Sequence, residues 1–306
     1  MMAKREQAIV VPQQPIPDLV AATAPAHPAA RRTVQRLLKD KRVVICGAII
    51  ALLALVGLCA PLISPYDPEA IDSKHSLAPP GGMHWLGTDQ LGRDMVSRLI
   101  YGARVSLQIS FYSVAFALIV GMTFGVLSAY FGSWIEGTLM RIVDVLLAFP
   151  ALVLAITVAA YLGPSLRNIV LVIGIVYTPI FARLTYVVTR SVKQVEYVEA
   201  ARAMGATHRG IIFRAILPNS VAPLIVQVSL SLGFAILTES GLSFLGVGVP
   251  PPAASWGSEI SQARLTLTQA PLLVIWPSIV IGTAILCFNV LGDALRDVLD
   301  PRIRNR

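Results

Sequence analysis

Few side chains in this 306-residue sequence are of a type and in a position to do chemistry. Two carboxylates, Asp144 and Glu239, lie within long apolar runs. An ionisable residue inside a membrane-spanning segment is a functional candidate by default, because its charge is costly to hold in lipid. Both acids are therefore candidates for lining a transport path, and hydrogen bonding to neighbouring helices is the alternative explanation.

Neither ATP hydrolysis nor metal chemistry is predicted for the chain itself. Its five lysines, at positions 4, 39, 41, 74 and 193, all lie outside any GxxxxGK loop that could cradle phosphates. The three cysteines fall within apolar runs without the spacing of metal ligands, and the four histidines are scattered. We therefore predict that the chain is not an enzyme and that it holds no metal and no cofactor.

The composition is that of a membrane protein. Hydrophobic residues make up 55% of the chain and charged residues 14%, and the mean hydropathy is +0.70. A soluble domain carries about 25% charged residues, so the composition disfavours a soluble enzyme or a soluble nucleic-acid-binding protein. The net charge of +8 then matters mainly for where the positive residues lie relative to the bilayer.

Six apolar runs are each long enough to cross a bilayer, which takes about 20 residues of helix. The predicted fold class is therefore an all-α, polytopic membrane protein with six transmembrane helices. Gly121 and Gly125 form a GxxxG pair in the second run, a spacing that favours close contact with another helix. The six predicted spans lie at residues 43–63, within 105–131, within 144–161, at about 169–188, at 221–249 and at 272–291.

The distribution of basic residues predicts that both termini are cytoplasmic. With six spans in that orientation, 19 of the 25 Lys and Arg residues lie on the inner side, in agreement with the positive-inside rule. The predicted organisation is a disordered cytosolic leader ending in a basic anchor (1–42), the first span (43–63), an extracytoplasmic loop with an amphipathic helix (64–104), a five-helix core (105–293) and a cytosolic tail (294–306).

A charged loop, residues 190–219, interrupts the core and is predicted to stay outside the bilayer. Its seven charged side chains would cost roughly 20 kcal/mol at the centre of membrane helices. The pattern predicts two short helices separated at Gly205, which is typical of the residue after a helix C-terminus, with Thr207 as the next N-cap. Pro218 is expected to end the second helix before the fifth span begins.

Three functions are compatible with such a loop: a helix-turn-helix that reads DNA, an amphipathic helix on the inner leaflet, and a helix pair that docks into a groove of a partner protein. DNA binding is disfavoured because the loop is tethered between two spans. Glu199, Ala200 and Ala201 are small or acidic where a lipid-binding face would carry Lys, Trp or Phe. Docking against a protein therefore explains the loop best.

The segment EAARAMG, followed by ILP, resembles the EAA loop of binding-protein-dependent ABC importers. It differs from the family pattern at Ala215, where the family usually has isoleucine. Four further segments resemble the second-subunit form of the dipeptide, oligopeptide and nickel permeases: LGTDQLGRDMVSRLIYGARVSL, MRIVDVLLAFPALVLAI, LSFLGVGVPPPAASWG and FNVLGDALRDVLDPR. The resemblance extends over about residues 40–304. The residues that match the EAA pattern are Glu199, Ala200, Ala201, Gly205, Leu217 and Pro218.

The resemblance implies a type I ABC importer permease fold in a bacterial cytoplasmic (inner) membrane. It also implies three kinds of partner besides the lipid bilayer: a homologous second permease subunit, two cytosolic ATPase subunits that bind ATP and Mg, and an extracytoplasmic substrate-binding protein. No nucleic acid is expected among them. Residues 196–218, which we term the coupling element, would seat in a cleft of an ATPase subunit.

The family match also implies roles for single residues. In the coupling element, Glu199 would make polar contacts, Ala200 and Ala201 would permit close approach, and Gly205 would allow the sharp turn. A further set, in the outer loops, could contact the binding protein, although turn architecture explains these residues equally well. The outer-loop set consists of Asp89, Arg93, Asp94 and Trp256. In the coupling element, Leu217 and Pro218 are expected to fix the angle at which the chain enters the fifth span.

The implied function is ATP-driven uptake of di- or oligopeptides, with nickel or glutathione as alternative substrates. One rival is a channel or secondary transporter, which would transport in vesicles that contain this chain alone. Another is a non-transporting scaffold, which would show no substrate-dependent ATP turnover in the assembled complex.

Overall fold

The computed structural model describes residues 40–299, and this part of the chain consists of helices and connections without a β-strand. The predicted leader falls almost entirely outside these residues. The first helix begins after Asp40, whose side chain accepts a hydrogen bond from the Arg42 N–H at 2.9 Å. The predicted tail is helical as far as Leu299, so its beginning extends the last helix.

The helices differ widely in length. One has 37 residues, three have 28, and the others described have 18 or fewer. In chain order they are α1 (Lys41–Leu58), α2 (Ala60–Ile63), α3 (Met95–Phe131), α4 (Ser133–Ala148), α5 (Ala151–Leu162), α6 (Leu166–Lys193), α7 (Glu196–Ala203), α8 (His208–Ile211), a π-helical stretch (Ile212–Ile216), α9 (Leu217–Phe244), α10 (Trp256–Ala263) and α11 (Leu272–Leu299).

Five continuous helices in the described part are long and apolar enough to cross a membrane. They are α1, α3, α6, α11 and the run His208–Phe244, which contains α9. The pair α4 and α5 passes the same test only when taken together, and the two helices meet at an angle of 99°. The six-span prediction therefore holds when this bent pair is counted as one span.

The predicted third span, 144–161, is wrong as a single straight helix. α4 ends at Ala148 and α5 begins at Ala151. Between them Phe149 has an extended backbone (φ −91°, ψ 139°), because the ring of the following proline disfavours the helical conformation in the residue before it. Pro150 also lacks an N–H group to continue the helical hydrogen bonds, so the chain bends at this point.

The second predicted span is part of a much longer helix. α3 begins at Met95, inside the segment that was expected to hold a separate amphipathic helix, and continues to Phe131. Asp94 starts it by accepting a hydrogen bond from the Ser97 N–H at 2.8 Å. At 1.5 Å per residue α3 is about 55 Å long, whereas the hydrocarbon core of a bilayer is about 30 Å thick. The single helix α3 therefore reaches from the loop before it to the coupling element, against which its C-terminal end packs.

α3 and α6 form the central helix pair of the fold, and α9 packs against both. A Cβ atom added to Gly121 would lie 2.6 Å from the Thr178 carbonyl oxygen, and one added to Gly125 would lie 2.5 Å from the Ala182 carbonyl oxygen. Only glycine allows the two backbones to approach so closely. The expectation that the glycine pair mediates helix contact is confirmed.

Replacing Gly125 with leucine is expected to destabilise the subunit by at least roughly 1–3 kcal/mol, because the new side chain would overlap the backbone of α6. Gly137 of α4 is a matched control, since an added Cβ atom there has no atom within 4 Å. We expect Gly125→Leu to lower the apparent melting temperature in lipid nanodiscs and Gly137→Leu to leave it near the wild-type value. Equal melting temperatures for the two variants would contradict the close helix contact.

Candidate functional site

The coupling element forms two short helices between α6 and α9. The first is α7, after which the chain reverses at Gly205, whose φ of +83° lies in the left-handed region that favours glycine. Thr207 caps α8 by accepting a hydrogen bond from the Gly210 N–H at 3.2 Å. The predicted break at Gly205 and the predicted cap at Thr207 are both confirmed.

The predicted helix end at Pro218 is wrong, because α8, the π-helical stretch and α9 form one continuous helix. In the π-helical stretch the Leu217 N–H bonds to the Ile212 carbonyl oxygen, five residues back. In a regular α-helix a proline ring clashes with the carbonyl group four residues earlier. The wider turn before Pro218 relieves that conflict, so the second short helix leads directly into the fifth span.

One face of the coupling element rests on the C-terminal end of α3. Val198 of α7 and Ile211 and Ile216 of the second helix are at most 3% exposed. They pack in one cluster with Val126 and Tyr130 of α3. The coupling element is therefore packed against α3 and continuous with α9. The partly buried residues against this cluster include Ala215 and Leu217.

Polar contacts of the coupling element and of the end of α6 connect both to α3. The Tyr130 hydroxyl is hydrogen-bonded to Nδ1 of His208 at 2.9 Å, and the two rings meet edge to face with centroids 5.6 Å apart. Lys193, at the end of α6, donates to the carbonyl oxygens of Ala129 at 3.3 Å and Tyr130 at 2.8 Å. A cation at this position also complements the C-terminal end of the α3 dipole. Sequence analysis missed Tyr130, because its partner is 78 residues away.

For the ATP-driven importer that the family resemblance implies, replacing Tyr130 with phenylalanine is expected to lower ATP-dependent uptake by up to about fivefold, because one hydrogen bond worth about 1 kcal/mol is lost. The matched control is Tyr161→Phe, at a position that is 89% exposed. Uptake is measured with the reconstituted complex at equal amounts of permease. If the two variants transported equally well, the contact with His208 would have no part in coupling.

The opposite face of the coupling element is exposed. Glu199, Ala200, Gly205 and Pro218 are exposed, and Met204 is 82% exposed. Gly205 and Ala206, which lack bulky side chains, leave the backbone open to close approach by another protein. Between the two helices lies a cavity of about 440 Å³, lined by residues that include Tyr197, Ala201, Gly210 and Arg214.

Asp144 of α4 forms an ion pair with Arg183 of α6, and the two side chains are 52% and 47% exposed. Earlier on α4, Glu136 accepts a hydrogen bond from the Tyr186 hydroxyl at 2.5 Å, and Arg190 donates to that hydroxyl at 2.7 Å. Both sets of contacts tie α4 to α6. Sequence analysis identified Asp144 but not its partner, and a path-lining role for Asp144 stays a prediction.

The four residues expected to contact a binding protein are all buried within the subunit. Asp89, Arg93, Asp94 and Trp256 are at most 5% exposed. Arg93 donates through Nε to Asp89 at 2.6 Å, and Nδ1 of His84 lies 2.9 Å from Asp94. These contacts shape the loop before α3, which was the alternative role. A direct contact of these residues with a binding protein stays a prediction.

A buried ion pair that sequence analysis missed joins α3 to α10. Arg98 donates through Nε and Nη2 to the two carboxylate oxygens of Glu259, at 2.9 and 2.7 Å. The two residues are 0% and 2% exposed. Arg98 also donates to the Pro68 carbonyl oxygen at 2.9 Å, and its Nε lies 3.8 Å from Asp89. The partners are 161 residues apart, so no local pattern connects them.

The connection between α2 and α3 contains one exposed, hydrogen-bonded pair of an aspartate and a histidine. Asp72 accepts hydrogen bonds from Nδ1 of His75 at 2.7 Å and from the Lys74 N–H at 3.1 Å. The hydrogen bond from His75 lowers the pKa of the Asp72 carboxyl below its usual value. The ionised carboxylate thereby fixes the short turn that follows it.

Glu239 lies in α9 and is 0% exposed. It accepts hydrogen bonds from the hydroxyl groups of Ser106, Ser243 and Ser255. These contacts connect α9 with α3 and with the connection before α10, which is the alternative role for this residue. A place on the transport path stays a prediction.

Two family models match the chain. The model described as the binding-protein-dependent transport system inner membrane component matches residues 121–305. The model described as the N-terminal TM domain of oligopeptide transport permease C matches residues 29–80. The first includes the coupling element and α9, and the second includes α1.

Two relatives are similar over nearly their whole length. A dipeptide transport system permease protein of Alkalihalophilus pseudofirmus is 42% identical over 275 residues, which are 90% of this chain and 90% of the relative. A glutathione transport system permease protein of Pectobacterium atrosepticum is 41% identical over 272 residues, which are 89% of this chain and 90% of the relative.

A solved structure shares the fold. The MetNI methionine ABC transporter in an inward-facing conformation has a chain that superposes with a TM-score of 0.54 at 20% sequence identity. The superposition covers 67% of this chain and 97% of that one. This likeness concerns the arrangement of helices alone. Together with the family match, it shows a multi-pass permease subunit with the type I ABC importer fold, and the chain belongs to the family of binding-protein-dependent transport system inner membrane components.

Proposed function

We propose that this chain is one permease subunit of an ATP-driven importer that moves di- or oligopeptides from an extracytoplasmic binding protein into the cytoplasm. The observation that carries the proposal is the packing of the coupling element, which has one side buried against α3 and another side exposed. The 42% identity to a dipeptide permease favours peptides as the substrate class.

The exposed face of the coupling element is the proposed docking surface for a cytosolic ATPase subunit. ATP and Mg are held by two such subunits, and a homologous second permease subunit completes the membrane part. In this arrangement Glu199 makes polar contacts with the ATPase, and Ala200 permits close approach. This orientation also places both termini in the cytoplasm, which agrees with the excess of basic residues on that side.

Transport follows from a rigid-body movement of the coupling element. Closure of the ATPase dimer displaces α7 and α8 together, because Gly205 and Thr207 define one turn between them. The displacement passes through Tyr130 and Val126 to α3 and through the continuous helix to α9. Two packed arrangements of the spans then alternate, and the ATPase shifts the balance between them.

Uptake into proteoliposomes tests the proposal. The complete system, with both permease subunits, the ATPases and the binding protein, is expected to accumulate a radiolabelled dipeptide when ATP is enclosed on the ATPase side. The same vesicles without the ATPases are expected to accumulate none. Uptake by this chain alone would establish the rival, an ATPase-independent channel or secondary transporter.

Glutathione is the second candidate substrate, because a relative that is 41% identical is a glutathione permease. Competition separates the candidates in the same assay. Uptake of the radiolabelled dipeptide is expected to be unchanged by an excess of unlabelled glutathione or nickel. Uptake of radiolabelled glutathione without uptake of the radiolabelled dipeptide would assign the second candidate.

A further inference from the structure

Glu239 is enclosed by serine hydroxyl groups near the end of α9 that lies away from the coupling element. Its Oε1 accepts from Ser243 and Ser255, each at 2.8 Å, and its Oε2 accepts from Ser106 at 3.2 Å. The residues come from α3, α9 and the connection before α10. All four are at most 5% exposed.

Each of these serines has a second hydrogen bond, and every one of those bonds leads to the same segment. Ser243 accepts from the Val249 N–H at 3.2 Å, and Ser106 accepts from the Trp256 N–H at 3.2 Å. Ser255 accepts from the N–H of Ser258 at 3.1 Å. The three donors lie within residues 249–258, the connection from α9 to α10 together with the first turn of α10. We term this segment the α9–α10 connection.

The arrangement gives Glu239 a defined effect on the hydroxyl groups. A serine hydroxyl has one proton to donate and rotates freely unless a partner fixes it. Glu239 accepts the hydrogen bond that each of the three hydroxyl groups donates, which leaves each hydroxyl oxygen with its lone pairs directed at a backbone N–H. One buried carboxyl group therefore orients three acceptors for the α9–α10 connection.

The α9–α10 connection is also held by close packing of Trp256 and Gly257 against α3 and α9. The Trp256 indole N–H donates to the Leu99 carbonyl oxygen at 3.1 Å. A Cβ atom on Gly102 would lie 2.8 Å from the Trp256 ring, and one on Gly257 would lie 2.5 Å from the Cα atom of Ser240. Two glycines thus let α10 lie directly against α3 and α9.

We propose that Glu239 is a positioning residue that holds the α9–α10 connection against α3 and α9 through its three serine partners, and that it does not contact the transported solute. The segment it holds, including the buried Trp256, then keeps a fixed position near the end of α9 opposite the coupling element. The transport readout below depends on the proposed function, whereas the labelling readout does not.

Cysteine labelling measures the position of the connection directly. Ala254 is 5% exposed, so an Ala254→Cys variant with the three native cysteines replaced by serine is expected to react slowly with a polar maleimide in nanodiscs. Adding Glu239→Leu is expected to speed the reaction roughly tenfold or more. Without the carboxyl group the three serine hydroxyl groups are no longer oriented, so their hydrogen bonds to the α9–α10 connection weaken. Adding Glu239→Gln is expected to restore most of the protection, because the amide oxygen still accepts from Ser243 and Ser255.

A pair of serine variants keeps the test informative if Glu239→Leu does not fold. Ser106→Ala removes one hydroxyl from the network and is expected to speed the labelling of Ala254→Cys severalfold. Ser113→Ala is its matched control, because Ser113 is also buried on α3 and its hydroxyl has no hydrogen-bond partner within residues 40–299. The control is expected to label at the wild-type rate.

Two results would overturn the proposal. The first is unchanged labelling in both Glu239→Leu and Ser106→Ala. The second is a Glu239→Gln variant with full protection of Ala254→Cys but with an altered KM or substrate preference in the uptake assay, since that pattern identifies contact with the solute. Protection and KM that are both near wild type in Glu239→Gln support the positioning role.

Discussion

Replacing Gly205 with valine is expected to reduce ATP-dependent uptake at least tenfold while the subunit remains in the membrane. Gly205 has a φ of +83°, and a Cβ atom added there would meet no atom within 4 Å. The substitution therefore acts through backbone strain, which costs about 1–3 kcal/mol at such a position, rather than through a clash. The strain is relieved by turning α7 relative to α8, which changes the docking surface.

Gly163 provides a matched control for this strain. Its φ is +79°, an added Cβ atom there also meets nothing within 4 Å, and it lies in the connection between α5 and α6. Gly163→Val is expected to transport normally per molecule of permease. Uptake is measured in proteoliposomes, with the amount of assembled complex quantified for each variant. Equal losses in both variants would assign the effect of Gly205→Val to general destabilisation.

Replacing Arg98 with methionine is expected to destabilise the subunit by about 3–5 kcal/mol, because Glu259 is left buried without its partner. The two side chains are 0% and 1% exposed and share two hydrogen bonds. The measurement is the apparent melting temperature of the isolated chain in nanodiscs. Arg104→Met is the control, since Arg104 lies on the same helix and forms no ion pair with any other described residue.

The double variant Arg98→Met with Glu259→Leu is expected to recover most of the lost stability. It removes both charges, so neither is left buried alone. The recovery is expected to be incomplete, because Arg98 also donates to the Pro68 carbonyl oxygen. A double variant less stable than either single variant would show that the pair does not act as a unit.

The features that were predictable from the sequence are those set by local chemistry. Gly205 ends a short helix and Thr207 caps the next one, and each effect depends only on neighbours in the chain. Gly121 and Gly125 lie one helical turn apart, so their shared face follows from the helical period alone. In each case the structure agrees with the pattern.

The features that the sequence did not predict depend either on the backbone conformation before a proline or on contacts between residues far apart in the chain. Pro150 breaks the third span, whereas Pro218 breaks nothing, because a π-helical turn precedes it. The contacts of Tyr130 with His208 and of Arg98 with Glu259 join residues 78 and 161 positions apart. No local pattern reports such contacts, since packing of the whole helix bundle creates them.

The same limit explains the residues expected to contact a binding protein. Asp89, Arg93 and Asp94 lie in a polar, turn-rich segment, where charged side chains are usually exposed. They are buried because each forms an ion pair or a hydrogen bond with a partner in the fold. Exposure therefore depended on partners that the sequence does not show.

Photo-crosslinking from Met204 tests the central claim, that the coupling element docks on an ATPase subunit. In a chain whose native cysteines are replaced by serine, Met204→Cys carries a benzophenone maleimide at a position that is 82% exposed beside Gly205. The control is Leu265→Cys, which is 72% exposed and follows α10. We expect the assembled complex to give a product of this chain with the ATPase from Met204→Cys, with a yield that changes when ATP is added, and none from Leu265→Cys. Failure of Met204→Cys to give an ATPase product, or equal products from both positions, would contradict the account.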